Sequence, residues 1–271
     1  MPEIPEIASR AREMNRVLPG KKIGHIEVVQ PKSLNLPPED FCLALIGAVI
    51  EEVTYHGKWL KVRTTAGWLL LNMGMGGEIL LTSREKMPVK YRLAIDFTDG
   101  ACLAINFWWF GYAHYCELDG LQTIPMIAKL GPTVLDLSAD EFSALVKAQK
   151  PGMRIKAFLL DQSRVSGIGN AYIHDILFLA GLHPQRKIMT ISDIEISRLY
   201  TAVHKGLEPS LAKGGAFYET DLYGQKGGFE MKDILIGYRE GNPCPVCGES
   251  IEKIRTGSTS SFICPNCQPL I

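Results

Sequence analysis

Residues 244–267 read CPVCGESIEKIRTGSTSSFICPNC, and their spacing decides how this end of the chain folds. Cys244, Cys247, Cys264 and Cys267 make two C-x2-C knuckles with sixteen residues between them. Four thiolates so arranged supply a closed tetrahedral site for one structural Zn2+, with no position left for a reacting water. The residues between the knuckles are too few to build a core, so the expectation is a two-stranded ribbon hairpin held by the metal. The other cysteines, Cys42, Cys102 and Cys116, lie in apolar runs and are expected as buried free thiols of a reducing compartment.

Upstream of the ribbon the composition is that of an ordinary globular protein: 271 residues, 46% apolar and 21% charged. Lysine and arginine number 29 and so do aspartate and glutamate, so charge alone does not announce a nucleic-acid partner. No window approaches a membrane span of about 18 apolar residues, and the start lacks a signal-peptide layout. The expectation is a soluble cytoplasmic monomer with no membrane partner.

The runs KKIGHIEVV, AVIEEVTYHGKWLKVRT, WLLLNM and YRLAIDFTDGACLAINFWW are β-branched and apolar, and Thr98-Asp99-Gly100 marks a hairpin in the last. Short strands with regular turns predict a β-sandwich over residues 1–125. Before it, Ile4, Ile7, Ala8, Ala11, Met14 and Leu18 recur at helical spacing, with Pro5 in the first turn and Glu6 complementing the dipole. Helices take over across residues 126–215, where Ser138/Glu141 and Ser192/Glu195 read as capping boxes. RIKAFLLDQ and AYIHDILFLAGLHP read as short helices joined by SRVSGIGN, whose glycines and Asn170 would offer helix-terminal amides to a phosphate. Residues 216–240, with Gly224, Gly227 and Gly228, read as a flexible connection to the ribbon at 241–271. The fold class is therefore α+β and multidomain.

Taken together, Pro2-Glu3, HGKWL (56–60), NMGMGG (72–77), WFG (109–111), DQSRVSGIGN (161–170) and the four-cysteine ribbon resemble one family. It is the formamidopyrimidine-DNA glycosylase and endonuclease VIII family of base-excision enzymes, and the resemblance runs over essentially the whole chain. It implies an N-terminal β-sandwich with a leading helix, a helix-two-turns-helix domain and a zinc finger, with damaged or abasic DNA held between the halves. It also implies glycosylase and abasic-site lyase activity, with a damaged-DNA-binding protein of low turnover as the alternative reading. A zinc-ribbon protein with no DNA role is a third reading, supported by the neutral charge balance alone.

The resemblance gives Pro2 a role. With Met1 removed, Pro2 carries a secondary α-amine, and a terminal amine with a pKa near 8 is partly neutral and nucleophilic at physiological pH. The family pattern has it attack the sugar C1′, expel the base and leave an iminium that promotes β-elimination. Glu3 is implied to shuttle protons, Glu6 to support the site and Lys58 to reach a phosphate and assist proton transfer. Gly169, Asn170 and Tyr172 correspond to the phosphate-binding turn. Met75 and Phe110 match the wedges that fill the hole left by the extruded nucleotide.

Two departures stand out. Trp108 and Trp109 occupy places where relatives carry basic residues, and an indole stacks on any base but lacks a donor fork. Thr259 stands where the finger carries an arginine that clamps phosphates, removing a charge-assisted contact worth roughly 1.5–3 kcal/mol. Arg255 falls on the opposite arm of the hairpin. The stretch FYETDLYGQKGGFEMK (217–232) lies where some relatives fold a loop over the base, and His174 reads as a phosphate contact or a helix-surface residue. Oxidised purines and oxidised pyrimidines both remain candidate substrates.

Overall fold

The structure, a computed structural model, describes residues 1–270. The chain divides into two compact units, Met1–Lys129 with Lys213–Gly228, and Leu130–Ala212 with Phe229 onward. The stretch read from sequence as one connecting region is thus shared between them.

The first unit begins with α1 (Ile4–Val17), whose apolar residues at helical spacing are all buried. Pro5 sits in its first turn, where no intrahelical amide is lost. Then come β1 (Ile23–Val28), α2 (Pro38–Leu45), β2 (Ile50–His56), β3 (Trp59–Thr64) and β4 (Gly67–Asn72). β5 (Glu78–Ser83), β6 (Leu93–Phe97), β7 (Ala101–Asn106), β8 (Tyr112–Cys116) and the one-turn α3 (Pro125–Ala128) complete the run. Two four-stranded antiparallel sheets form, in the orders β1-β6-β7-β5 and β2-β3-β4-β8. One apolar cluster takes residues from both sheets and from α1, including Met14, Leu60, Leu71, Ile105 and Phe107, which makes the pair a sandwich. The hairpin expected at Thr98-Asp99-Gly100 joins β6 to β7, with Gly100 at φ 90°. Leu222 of the returning segment is fully buried in this core, and its carbonyl accepts from the Leu81 amide at 2.8 Å. Glycine-rich as it is, that segment contributes to the core rather than lying loose upon it.

The second unit holds α4 (Ala139–Lys147), α5 (Ile155–Leu160), α6 (Ile173–Leu179) and α7 (Asp193–Ala212), followed by the hairpin β9 (Glu252–Thr256) and β10 (Thr259–Ile263). Both capping boxes form: the Ser138 amide donates to Glu141 at 2.9 Å and the Ser192 amide to Glu195 at 2.8 Å. The buried Asp175 carboxylate accepts the amides of Leu235, Ile236 and Gly237 at 2.8–3.0 Å and so anchors the approach to the ribbon. Burial raises its pKa, and those three amides oppose the rise by favouring the charged form. Among the described residues no helix is long and apolar enough to cross a membrane.

Of the three scattered thiols, Cys102 and Cys116 are buried, and burial pushes them up to about 12 and about 11. Cys42 departs from the expectation in being only partly buried, because α2 turns it toward the rim of the core.

α6 and α7 cross closely where Gly206 meets Ile176; a Cβ at Gly206 would lie 2.6 Å from Ile176 Cγ1. In a solvent-facing helix, replacing glycine by alanine gains about 1 kcal/mol of propensity. Here overpacking of about 1–3 kcal/mol acts against that gain. Gly206→Ala is expected to lower the urea midpoint of the second unit.

Candidate active site and nucleic-acid interface

The N-terminus is held by one carboxylate. Glu6 Oε2 accepts the Glu3 amide at 2.9 Å, and Oε1 accepts the Ala216 amide at 3.0 Å. Glu3 and Glu6 are 3% and 7% exposed, so both charges face protein rather than water. Pro2 is buried beside them and lines a small cavity with Glu6, Arg10, Met73, Glu78 and Glu219. A wider recess of about 210 Å³ opens next to it, lined by Met1, Gly76, Glu78, Tyr218, Glu219 and Thr220.

Lys58 is the second residue of the two-residue turn joining β2 to β3, where His56 pairs with Trp59. Gly57, at φ 55°, takes the first turn position, where a type II′ turn needs glycine. Burial lowers the Lys58 pKa, while Glu3 and Glu6 pull the other way, so this lysine shares an electrostatic environment with the N-terminal carboxylates. Asn72, at the end of β4, ties the turn to the next loop: its Nδ2 donates to the Lys58 carbonyl at 3.3 Å and its Oδ1 accepts the Gly74 amide at 3.0 Å.

Two loops then lie side by side. The Met75 amide donates to the Trp109 carbonyl at 2.8 Å, and Gly74 permits this approach because a Cβ there would lie 2.0 Å from that same oxygen. Met75, Trp108, Trp109 and Phe110 are 46%, 58%, 63% and 66% exposed. Phe110 takes φ 57°, a left-handed conformation uncommon for a bulky residue and one that holds its ring outward. Four large apolar side chains displayed on one edge form a patch of the kind that marks an interaction surface.

In the second unit Asn170 donates from Nδ2 to the Tyr238 hydroxyl at 3.5 Å and accepts from that hydroxyl at its own carbonyl at 3.2 Å. Its Oδ1 is buried without a hydrogen-bond partner. The glycine turn differs from expectation: the Gly167 amide is spent on Gln162 Oε1 at 2.9 Å, and Gly169 is buried with its carbonyl receiving the Ile173 amide. Tyr172 likewise is 4% exposed, its hydroxyl 2.6 Å from Ser210 Oγ and its ring packed near Phe229. The aromatic ring belongs to the packing of α6 against α7, which corrects the reading of Tyr172 as a DNA contact. His174 is neither a phosphate contact nor a surface residue. It is 1% exposed, with its Nδ1 3.4 Å from the Phe262 amide, and burial, assisted by Lys156, pulls its pKa down to about 3.

The four ribbon thiols lie within 4.8 Å of one another, with Sγ···Sγ distances of 3.4 Å (Cys247–Cys264), 3.6 Å (Cys247–Cys267) and 3.9 Å (Cys244–Cys267). A zinc–thiolate tetrahedron with bonds of about 2.3 Å has sulfurs about 3.8 Å apart, so the set fits one Zn2+. In β10, Thr259 pairs with Thr256, and the exposed Arg255 pairs across the ladder with Ser260. Thr259 Oγ1 also lies 3.1 Å from the ammonium of Lys156, a residue that reading by motif passed over. The available signal was a lone charge in the apolar helix IKAFLL.

Three family models match in succession: the formamidopyrimidine-DNA glycosylase N-terminal domain over residues 1–106, its H2TH domain over 130–221, and the zinc finger found in FPG and IleRS over 241–270. A formamidopyrimidine-DNA glycosylase of Listeria innocua is 33% identical over 99% of this chain and 100% of its own length. One from Chloroflexus aggregans is 33% identical over the full length of both. Among solved structures, a Lactococcus lactis FPG mutant bound to Fapy-dG-containing DNA superposes with a TM-score of 0.89 at 26% identity, covering 99% of this chain and 100% of that one. The Lactococcus lactis enzyme bound to abasic-site DNA gives the same TM-score and identity over 98% and 99%. An antiparallel sandwich led by a helix, an H2TH unit and a four-thiolate finger define a zinc-finger DNA glycosylase. The chain belongs to the formamidopyrimidine-DNA glycosylase family.

Glu219 is a titrating group the motifs did not show. Burial raises its pKa to about 7 from an ordinary 4.5; the chain's terminal ammonium opposes the shift and Glu6 adds to it. Between those values the folded chain binds a proton that the unfolded chain has lost, so stability falls as pH climbs from about 4.5 to about 7. Glu219→Gln is expected to remove this component, so that its melting temperature gains on the wild type with rising pH and stays above it at pH 8. Parallel melting curves across the range are the check.

Proposed function

We propose that this DNA glycosylase excises damaged bases with the amine of Pro2 and then cuts the strand as an abasic-site lyase. One observation carries the reading: Pro2 lies buried beside Glu3 and Glu6, whose charges also act on Lys58, and lines a small cavity next to a wider recess. The amine lone pair attacks C1′, the glycosidic bond breaks, and its electron pair leaves with the base, which takes up a proton. The attached nitrogen passes its proton to Glu3, which delivers it to O4′ as the sugar ring opens, leaving an iminium between Pro2 and C1′. The iminium acidifies C2′–H; loss of that proton expels the 3′ phosphate by β-elimination.

Met75, Trp108, Trp109 and Phe110 serve as the filler of the vacated stack, and Asn170 as a phosphate contact. The lowered pKa of Lys58 makes it a readier proton donor than an ordinary lysine. Each chain carries one copy of every group invoked, and the enzyme acts as a monomer on cytoplasmic DNA. Thr259, in place of a cation, favours a second reading in which damaged DNA is bound with little turnover.

Borohydride added with abasic DNA is expected to give a covalent adduct that maps to Pro2, and an unreduced reaction to give mainly the β-elimination product on a gel. Binding without any adduct selects the second reading, and a dominant one-nucleotide gap contradicts the product assignment.

Each exposed indole offers a single N–H, so discrimination among the bases facing the lesion should stay within about tenfold, the worth of roughly one neutral hydrogen bond. Excision rates opposite each of the four bases test this, and a strong preference for cytosine defeats it.

A further inference from the structure

The second unit buries a cation with no anion beside it among the described residues. Lys156, on α5, is 4% exposed. Its Nζ lies 2.8 Å from the Ser260 carbonyl and from Ser261 Oγ, 3.0 Å from Thr256 Oγ1 and 3.1 Å from Thr259 Oγ1. All four acceptors are neutral oxygens of the β9–β10 hairpin. Burial is the one influence on its pKa, which falls to about 8, and no carboxylate contributes. A buried charge normally carries a counter-charge, because desolvation costs several kcal/mol per ion. The missing one points to an anion from outside the chain.

An ammonium has three hydrogens, and each hydroxyl that accepts one must place its own proton elsewhere. Thr256 and Ser261 hydroxyls are 2.8 Å apart, and Thr256 Oγ1 also reaches the Thr259 carbonyl at 3.3 Å, so their protons are used inside the hairpin. Among the described residues, the acceptor of the Thr259 hydroxyl proton is the Thr256 carbonyl, at 3.5 Å, the far limit of a hydrogen bond. Thr259 is also partly exposed, whereas Ser261 is buried.

We propose that Thr259 and Lys156 form a two-residue phosphate contact at the end of the zinc hairpin. The hydroxyl oxygen accepts from the buried ammonium and its proton is donated outward to a DNA phosphate. Lys156 is the positioning and polarising residue; Thr259 makes the contact. The neutral hydroxyl thereby acts as a charge-assisted donor. This rests on the DNA reading above and supplies the finger with a cation that the motif at position 259 lacks. Arg255, exposed across the ladder, is the competing carrier of the same contact.

The test is the affinity of the full-length zinc-loaded protein for a duplex holding one tetrahydrofuran abasic analogue, read by fluorescence anisotropy at fixed salt. Thr259→Val is expected to weaken binding about tenfold, the worth of a hydrogen bond to a charged group. Thr259→Ser should restore it, with zinc content and melting temperature unchanged in both. In a Lys156→Met background, adding Thr259→Val should change nothing further. If Lys156→Met loosens the hairpin, the valine and serine variants on the native lysine still decide. Wild-type affinity in Thr259→Val, serine as weak as valine, or a loss confined to Arg255→Gln overturns the assignment. Failure of the wild type to bind the abasic duplex would instead sink the DNA reading itself.

Discussion

Glu6 joins the start of the chain to a segment more than two hundred residues away. Its two oxygens take the amides of Glu3 and Ala216, at a sequence separation of 210 for the second. Both amides are buried, and a buried amide left unpaired costs about 1–3 kcal/mol. The carboxylate therefore closes the first helix turn and docks the returning segment in one stroke. Pro2 and the segment bearing Glu219 line one cavity because this bond holds them there. Gly215 makes the approach possible, since a Cβ at that position would lie 3.0 Å from Glu6 Cγ.

Around that bond the first unit concentrates carboxylates and leaves them short of solvent. Glu3, Glu6 and Glu219 share the neighbourhood of the terminal amine, and Lys58 enters from the turn between two strands. Burial lowers the proton affinity of Lys58 and raises that of Glu219, so these two groups move toward neutrality. That is the range in which an amine nucleophile and its proton partners operate. Asn72 extends the same order outward, since its two hydrogen bonds link the Lys58 turn to the loop that displays Met75.

The second unit solves a different problem. Its ribbon has a small apolar cluster around Phe178, Ile236, Ile251 and Phe262, and four thiolates supply the rest of the cohesion through zinc. Lys156 then fastens α5 to the hairpin through neutral oxygens. A carboxylate there would have neutralised the charge and ended its attraction for a polyanion. The electrically neutral composition of the chain thus hides a cation with no counter-charge beside it among the described residues.

Local patterns alone determined much of this protein. The knuckle spacing, both capping boxes, the apolar spacing of α1 and the Thr98-Asp99-Gly100 hairpin depend on residues a few positions apart, where steric and hydrogen-bonding rules act directly. The conjunction of Pro2-Glu3 with the later motifs likewise pointed to the family before any coordinates. Tertiary packing decided the rest. Whether Tyr172 faces solvent or Ser210, whether His174 lies on a surface or under Phe262, and which oxygens meet Lys156 depend on how helices and hairpin stack. Those pairings span 38 to 105 residues. No periodicity encodes such separations; they follow from which faces the apolar core leaves together once it has closed.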